Sequence, residues 1–300
     1  MKKNVMLMLL AMLFFACGSE NEPKVDASGE SYLQVSDFQE YGELHNAILN
    51  NINENFVNPT DEDLTLDKYL DSLSCFNTCF VEETLCGSSN QNELSTNFHR
   101  YKNFARSGIF LEKVIVANTT RSSKSLSLEE LNSFFDQEVI DVEEMPSLNE
   151  VLEVLHKEKL LSHDGYSILK DFVSSINNVY LGLISDAVFE QQLDELIRRF
   201  DELKYDKTSI EGENIGSSLA ISKESLKWWK EHPEAYDTDV KVHPVVLVDA
   251  AGAIVTAGSS ILQGNRPTVG GVVIGAAFAS LGVHKSVVTF LRGLDKLLAL

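Results

Sequence analysis

One segment of this sequence places the side chains of a serine hydrolase in consecutive positions, Ser162-His163-Asp164. A catalytic triad needs its three members to converge in space, and adjacency along the chain does not supply that geometry. A serine just before a helical stretch instead offers its oxygen to the free backbone N–H groups of the first turn. We therefore interpret this segment as a helix cap.

A second segment with a titratable side chain is Gly42-Glu43-Leu44-His45-Asn46. His45 falls on the apolar face of a predicted helix, next to Leu44 and near Ile48, so a buried, hydrogen-bonded histidine is favoured over a catalytic base. The sequence contains no G-x-S-x-G, P-loop, H-E-x-x-H, G-x-G-x-x-G or EF-hand pattern. We expect no catalytic residues, no metal and no cofactor, and a hydrolase with an unrecognised site is the weaker alternative.

Three cysteines close together could form either a disulfide or a metal site. Cys75 and Cys79 are four residues apart, so one helical turn would bring them together, and Cys86 follows. One disulfide with one free thiol is the plain expectation for an oxidising compartment. The alternative is a zinc site with His99 as fourth ligand, although this spacing fits no standard zinc pattern.

Two adjacent tryptophans are candidates for ligand contact. Trp228 and Trp229 are flanked by Lys227 and Lys230, which could make a surface patch for a sugar or a lipid headgroup. In the alternative interpretation, one indole packs into the core and the other lies on the surface.

Most of the chain follows the periodicity of amphipathic helices. Residues 37–56 and 186–205 each carry apolar side chains at steps of three and four. Ser127 with Glu130, and Ser147 with Glu150, form the capping-box pattern that begins a helix. Further helices are predicted at residues 63–73 and 93–106 and after Ser162, and residues 110–117 could be a strand or a helix. The pattern predicts a mainly α protein, a multi-helix bundle.

The C-terminal third differs in composition. From residue 215 the sequence is rich in small residues, and the apolar stretches 245–262 and 268–283 are joined by a turn at residues 263–267 that contains Gly264, Asn265 and Pro267. Asp249 is the one charge in the first stretch, and Gly271 and Gly275 form G-x-x-x-G in the second, a spacing that lets helix backbones approach closely. The segment resembles glycine-zipper hairpins of membrane-associated and bacteriocin-like proteins. A hairpin buried in the core is favoured over one that inserts into a membrane or oligomerises.

The start of the chain has the layout of an export signal. Lys2 and Lys3 precede an uncharged apolar stretch at residues 5–15, and Ala16-Cys17-Gly18 supplies the cleavage site. Phe14-Phe15-Ala16-Cys17 resembles the lipobox of bacterial lipoproteins, with Phe14 where that motif usually has Leu. The resemblance implies that Cys17 carries diacylglycerol and a further acyl chain such as palmitate, which together anchor a protein stably in a membrane. The acidic residues after Cys17 resemble the surface-export signal of Bacteroidetes lipoproteins, which implies an outer-membrane protein that faces outward.

The excess of acidic residues limits which partners the protein is expected to bind. Without Lys2 and Lys3 the 25 basic residues fall to 23, against 45 acidic ones. Such a surface repels phosphate backbones, so nucleic acid is not an expected partner, and membrane contact must come from the anchor or from apolar surface.

The domain organisation expected from these segments has four parts. Residues 1–16 are the signal peptide, 17–31 the lipidated cysteine and a flexible tether, 32–210 a helical body, and 211–300 the Gly/Ala-rich hairpin region packed on that body. The whole plan resembles uncharacterised exported lipoproteins of Bacteroidetes, through three short segments: Gly42-Glu43-Leu44-His45-Asn46, Ser225-Leu226-Lys227-Trp228-Trp229 and Asp249-Ala250-Ala251-Gly252-Ala253. That resemblance implies no activity. We expect a non-enzymatic envelope protein that contacts a protein or small ligand, with a membrane-active protein as the rival.

Overall fold

The computed structural model describes residues 31–55, 126–135 and 147–233, together with five single positions: Lys68, Ser72, Asp249, Val273 and Ala276. The chain divides into two compact units, residues 1–32 and residues 33–300. Every helix considered below belongs to the second unit. Across the described residues, no helix combines the length and the apolar character needed to cross a membrane.

The described part of the second unit is built from helices. A short 3-10 helix is followed by six α-helices: 3-10 helix Val35–Phe38, α1 Gln39–Asn55, α2 Leu128–Phe135, α3 Leu148–Lys157, α4 His163–Tyr180, α5 Asp186–Leu203 and α6 Ile210–Glu231. The mainly α fold predicted from the sequence is confirmed. Lys68 and Ser72 are also helical, and the Ser72 hydroxyl donates to the Lys68 carbonyl at 3.0 Å, in agreement with the helix predicted over residues 63–73.

Serine side chains determine where several helices begin. At α3 the Ser147 hydroxyl accepts from the Glu150 backbone N–H, and the Glu150 side chain accepts from the Ser147 backbone N–H. Ser127 and Glu130 make the same reciprocal pair at α2. Ser162 accepts from the Gly165 N–H at 3.1 Å at the start of α4. These three predicted caps are confirmed, because each oxygen satisfies a backbone donor that the first turn leaves free. Two further caps were not predicted from the sequence: Ser185 at α5 and Ser209 at α6.

Helix α5 is the amphipathic helix that the sequence predicted most clearly. Phe189, Leu193, Leu196 and Phe200 are buried along one side, while Val188, predicted for the same side, is 38% exposed. The helix ends at Leu203 and not at residue 205, because Lys204 adopts the left-handed conformation (φ 54°) that terminates a helix.

Helix α6 lies at the centre of the described helices. It packs against α1 most extensively and also contacts α4, α5 and the 3-10 helix. Fourteen of its 22 residues are buried, including four serines. This continuous helix was not predicted, because a helix buried on most sides has no single apolar stripe to reveal its period. The expected boundary between body and C-terminal region, at residue 211, falls at its first turn.

Several predicted segments lie outside the described residues. These are the signal peptide and tether, the helix at residues 93–106, the strand or helix at residues 110–117, and most of the C-terminal hairpin. Of the two apolar stretches, Asp249, Val273 and Ala276 are described. All three are helical and have no exposed surface.

Candidate functional site: a buried polar cluster

Helices α1 and α6 meet along a row of contacts that advances by four residues on each helix. The row begins where Phe38, the last residue of the 3-10 helix before α1, lies against Gly216. On α1, Gly42 then lies against Ala220 and Glu224, Asn46 against Glu224, and Asn50 against Trp228. Because the contact moves forward on both helices together, α1 and α6 run in the same direction along this interface. Rows spaced by four are the ridges that most often interdigitate when helices pack.

Glycine at position 42 permits a close approach between α1 and α6. A Cβ atom built there would lie 2.5 Å from Glu224 Cγ, 2.6 Å from Glu224 Cβ and 3.1 Å from the Ala220 carbonyl oxygen. Any side chain at this position would therefore push the two helices apart. The close approach brings the polar side chains of the next turn of α1 into contact with α6.

Asparagine side chains of α1 hold this interface by hydrogen bonds to α6. Asn46 Nδ2 donates to the Glu224 carbonyl oxygen at 3.1 Å. One turn later, Asn50 Oδ1 accepts from Trp228 Nε1 at 2.7 Å. Both bonds join positions 178 residues apart in sequence, so they fix the register of α1 against α6.

The side chain of Asp249, which is far along the chain from α1, lies at the same interface. Its Oδ2 accepts hydrogen bonds from the Ser225 hydroxyl and, at 3.2 Å, from Trp229 Nε1. His45 Nε2 lies 3.4 Å from the same oxygen. All four side chains have no exposed surface. We call these four residues, His45, Ser225, Trp229 and Asp249, the buried polar cluster.

The two tryptophans are both buried, at 3% exposure for Trp228 and 0% for Trp229. Their rings meet edge to face, with centroids 4.6 Å apart, and Trp228 stacks on His232 at 4.4 Å. The expectation that one indole lies on the surface is therefore wrong, and so is the surface patch for a sugar or headgroup. Both indole N–H groups instead bind partners inside the protein, as buried Trp requires.

The cluster contains serine, histidine and aspartate, but it is not arranged as a catalytic triad. In a triad the histidine bridges the other two and takes the serine proton. Here the aspartate is the bridging group, and the Ser225 hydroxyl donates to Asp249 instead of to His45. Because no member reaches the surface, the geometry supplies neither an activated nucleophile nor access for a substrate.

The Ser162-His163-Asp164 segment also has no triad geometry. Besides capping α4, the Ser162 hydroxyl donates to Glu211 Oε1 at 2.6 Å, and the Tyr205 hydroxyl donates to the same oxygen at 3.0 Å. Burial, and next the charge of Glu211, raise the pKa of Tyr205 above its usual value. This network joins the start of α4 to the start of α6, which is a structural role.

Six of the residues that the sequence singled out converge at or beside the cluster: Gly42, His45, Asn46, Trp228, Trp229 and Asp249. Ser225 was only part of a sequence motif, and Asn50 was not predicted as a site residue. In the sequence, both look like ordinary helix positions, and only their contacts between packed elements distinguish them. Gly271 and Gly275, the candidate lipidation site Cys17, and the cysteines Cys75, Cys79 and Cys86 lie outside the described residues, as does His99. Within the part of the chain that is described, no group of three or more His, Cys, Asp or Glu side chains could hold a metal ion.

No family model, curated protein sequence or solved structure matches this chain. The residues of the cluster therefore have to be interpreted from their own geometry.

Proposed function

We propose that this chain is a lipid-anchored, non-enzymatic helical protein of the bacterial outer membrane, which acts through contacts with a protein or a small ligand. One observation carries the non-enzymatic part. The side chains best suited to chemistry, His45, Ser225 and Asp249, are wholly buried and are hydrogen-bonded in an order that does not activate the serine. Their arrangement suits a structural connection between α1, α6 and the region around Asp249.

The anchoring part of the proposal is supported by the sequence around Cys17. A short basic start, an uncharged apolar stretch and a cysteine after a small residue are what the lipoprotein pathway requires. Labelling with radioactive palmitate in an expressing bacterium, followed by membrane fractionation, tests this directly. We expect label and an outer-membrane location for the wild-type chain and loss of both in Cys17→Ala. Unlabelled wild-type protein in the soluble fraction would refute the anchor.

The hydrolase alternative has its own test. The purified protein is assayed against a set of ester and amide substrates beside the Ser225→Ala variant. We expect the two proteins to give the same background rate. Turnover by the wild type that Ser225→Ala removes, with circular dichroism unchanged, would show that the cluster opens to substrates and would overturn the non-enzymatic proposal.

The rival proposal is a membrane-active protein whose Gly271 and Gly275 stretch inserts or oligomerises. The complete burial of Val273, Ala276 and Asp249 supports a packed C-terminal region instead. Liposome co-sedimentation and dye leakage distinguish the two proposals. We expect the chain that begins after Cys17 to stay in solution and to cause no leakage. Leakage that is abolished by Gly271→Leu with Gly275→Leu, while helical content by circular dichroism stays unchanged, would favour the rival.

A further inference from the structure

Two polar atoms in the buried polar cluster have no hydrogen-bond partner among the described residues. They are His45 Nε2 and Asp249 Oδ1, both fully shielded from solvent. His45 Nε2 points at the other Asp249 oxygen, Oδ2, from 3.4 Å. Buried polar groups are nearly always satisfied, so a histidine nitrogen without a hydrogen bond that lies 3.4 Å from a carboxylate oxygen calls for an explanation.

The protonation of His45 Nδ1 follows from its neighbours. The Glu224 carbonyl oxygen can only accept, so the Asn46 side chain must present its NH₂ group to it. The Asn46 Oδ1 atom is thereby directed to His45 Nδ1, at 3.1 Å. Because an amide oxygen also only accepts, Nδ1 must carry a hydrogen.

The hydrogen on Nδ1 determines whether Nε2 can also carry one. A neutral imidazole has a single N–H, so with Nδ1 protonated Nε2 would present a lone pair to a carboxylate oxygen. Two lone pairs facing each other in a dry site repel, and a proton between them converts the repulsion into a charge-assisted hydrogen bond. Asp249 Oδ2 already accepts from the Ser225 hydroxyl and the Trp229 indole, and such donors favour the ionised carboxylate. The proton therefore belongs on His45.

We propose that His45 is held as an imidazolium against the Asp249 carboxylate, and that this proton is a condition for docking residue 249 on α1 and α6. The cluster then works as a proton-dependent latch. Loss of the proton leaves a buried carboxylate facing a lone pair, so the latch weakens as the pH rises. The proposal is independent of the lipid anchor.

Other ionisable groups border the cluster from both helices. On α1, Glu43 is exposed. On α6, the Glu224 side chain lies against Gly42, and His232 stacks on Trp228. The α6 lysines Lys223, Lys227 and Lys230 are exposed, and Lys223 and Lys230 pair with acidic residues of α5. Because the His232 ring stacks on Trp228, a change in His232 could alter the tryptophan emission by itself, so His232 has to be removed in a control.

The protonation state can be measured directly by ¹⁵N NMR of the histidine rings of the intact protein in detergent micelles. The His45 ring is assigned through bonds from the backbone, so no substitution is needed. At neutral pH we expect both ring nitrogens of His45 to show the shifts of protonated imidazolium. In Asp249→Asn, which keeps the shape but removes the charge, we expect the imidazolium signature to disappear. A neutral His45 ring in the wild-type protein at neutral pH would overturn the proposal.

The latch itself is tested by fluorescence, because the chain has only two tryptophans: Trp229 belongs to the cluster, and the Trp228 ring contacts the Trp229 ring. In a His232→Gln background, we expect the emission to shift toward that of exposed indole as the pH is raised, at the pH where the His45 ring loses its proton. Adding His45→Gln should remove this transition, with helical content by circular dichroism unchanged. A transition that survives His45→Gln, or deprotonation of His45 without any change in emission, would contradict the latch.

Discussion

Replacement of Gly42 by alanine gives two opposite expectations, and the structure decides between them. Alanine is the better helix former, and on an exposed helix this change would stabilise by about 0.5–1 kcal/mol. At position 42, however, the new methyl group would lie 2.5 Å from Glu224 Cγ and 2.6 Å from Glu224 Cβ. Ordinary carbon contacts begin near 3.5 Å, so α1 and α6 would have to separate by about 1 Å.

The cost of that separation extends beyond the contact itself. Overpacking of this kind costs about 1–3 kcal/mol. The separation also lengthens the bonds from Asn46 to the Glu224 carbonyl and from Trp228 to Asn50, which start at 3.1 and 2.7 Å. After the propensity gain is subtracted, we expect Gly42→Ala to lower the free energy of unfolding by about 0.5–2 kcal/mol.

Urea unfolding followed by tryptophan fluorescence measures this change. Glu43→Ala, at the exposed neighbouring position, is the matched control and should stay within about 0.5 kcal/mol of wild type. In a Glu224→Gly background the cost of Gly42→Ala should shrink, because the two nearest carbon atoms are gone. A Gly42→Ala variant that is more stable than wild type would show that α1 and α6 do not approach as closely as inferred.

Three further predictions address packing, capping and pH. Gly216→Ala should lower the free energy of unfolding by about 1–3 kcal/mol, because its Cβ would overlap the buried Phe38 ring; Phe38→Leu should recover part of this loss, and unchanged urea midpoints would contradict the packing. Ser147→Ala should cost about 1 kcal/mol through loss of the α3 cap, measured by the same unfolding experiment, whereas Ser147→Asp should retain most of the stability. Burial raises the pKa of Tyr41 from 10.0 to about 12. The neutral Tyr41 side chain therefore contributes fully to the free energy of unfolding below pH 10, and this contribution is lost as the pH rises toward 12. This amounts to about 2–3 kcal/mol. Tyr41→Phe should therefore lose less stability over that pH range than wild type, and identical pH profiles would count against the burial.

The sequence predicted the features that depend on neighbouring residues. The capping serines Ser127, Ser147 and Ser162 act on the first turn that follows them, and the apolar face of α5 repeats at helical spacing. Helix α6 could not be recognised, because its serines and glycines face other helices and leave no polar side to contrast with an apolar one.

The sequence pointed to most residues of the buried polar cluster, but it did not predict that they contact one another. Gly42, His45 and Asn46 share one turn of α1, so their common face is a local property of the sequence. The contacts of Gly42 and Asn46 with Glu224, and of His45 with Asp249, depend on how elements far apart in the chain pack together. Such convergence is a tertiary property, and no local pattern contains it. The expectation of a surface tryptophan failed for the same reason, because the α1 surface that covers Trp228 is far away in sequence.

The most direct test of the buried polar cluster is a double-mutant cycle at His45 and Asp249. The free energy of unfolding is measured for wild type, His45→Gln, Asp249→Asn and the double variant. Because the two side chains meet in a fully buried site, we predict that the single losses are not additive and that the coupling energy is about 1–3 kcal/mol. Additivity within about 0.5 kcal/mol would mean that the two residues do not interact, and it would contradict the proposed connection between α1, α6 and the region around Asp249.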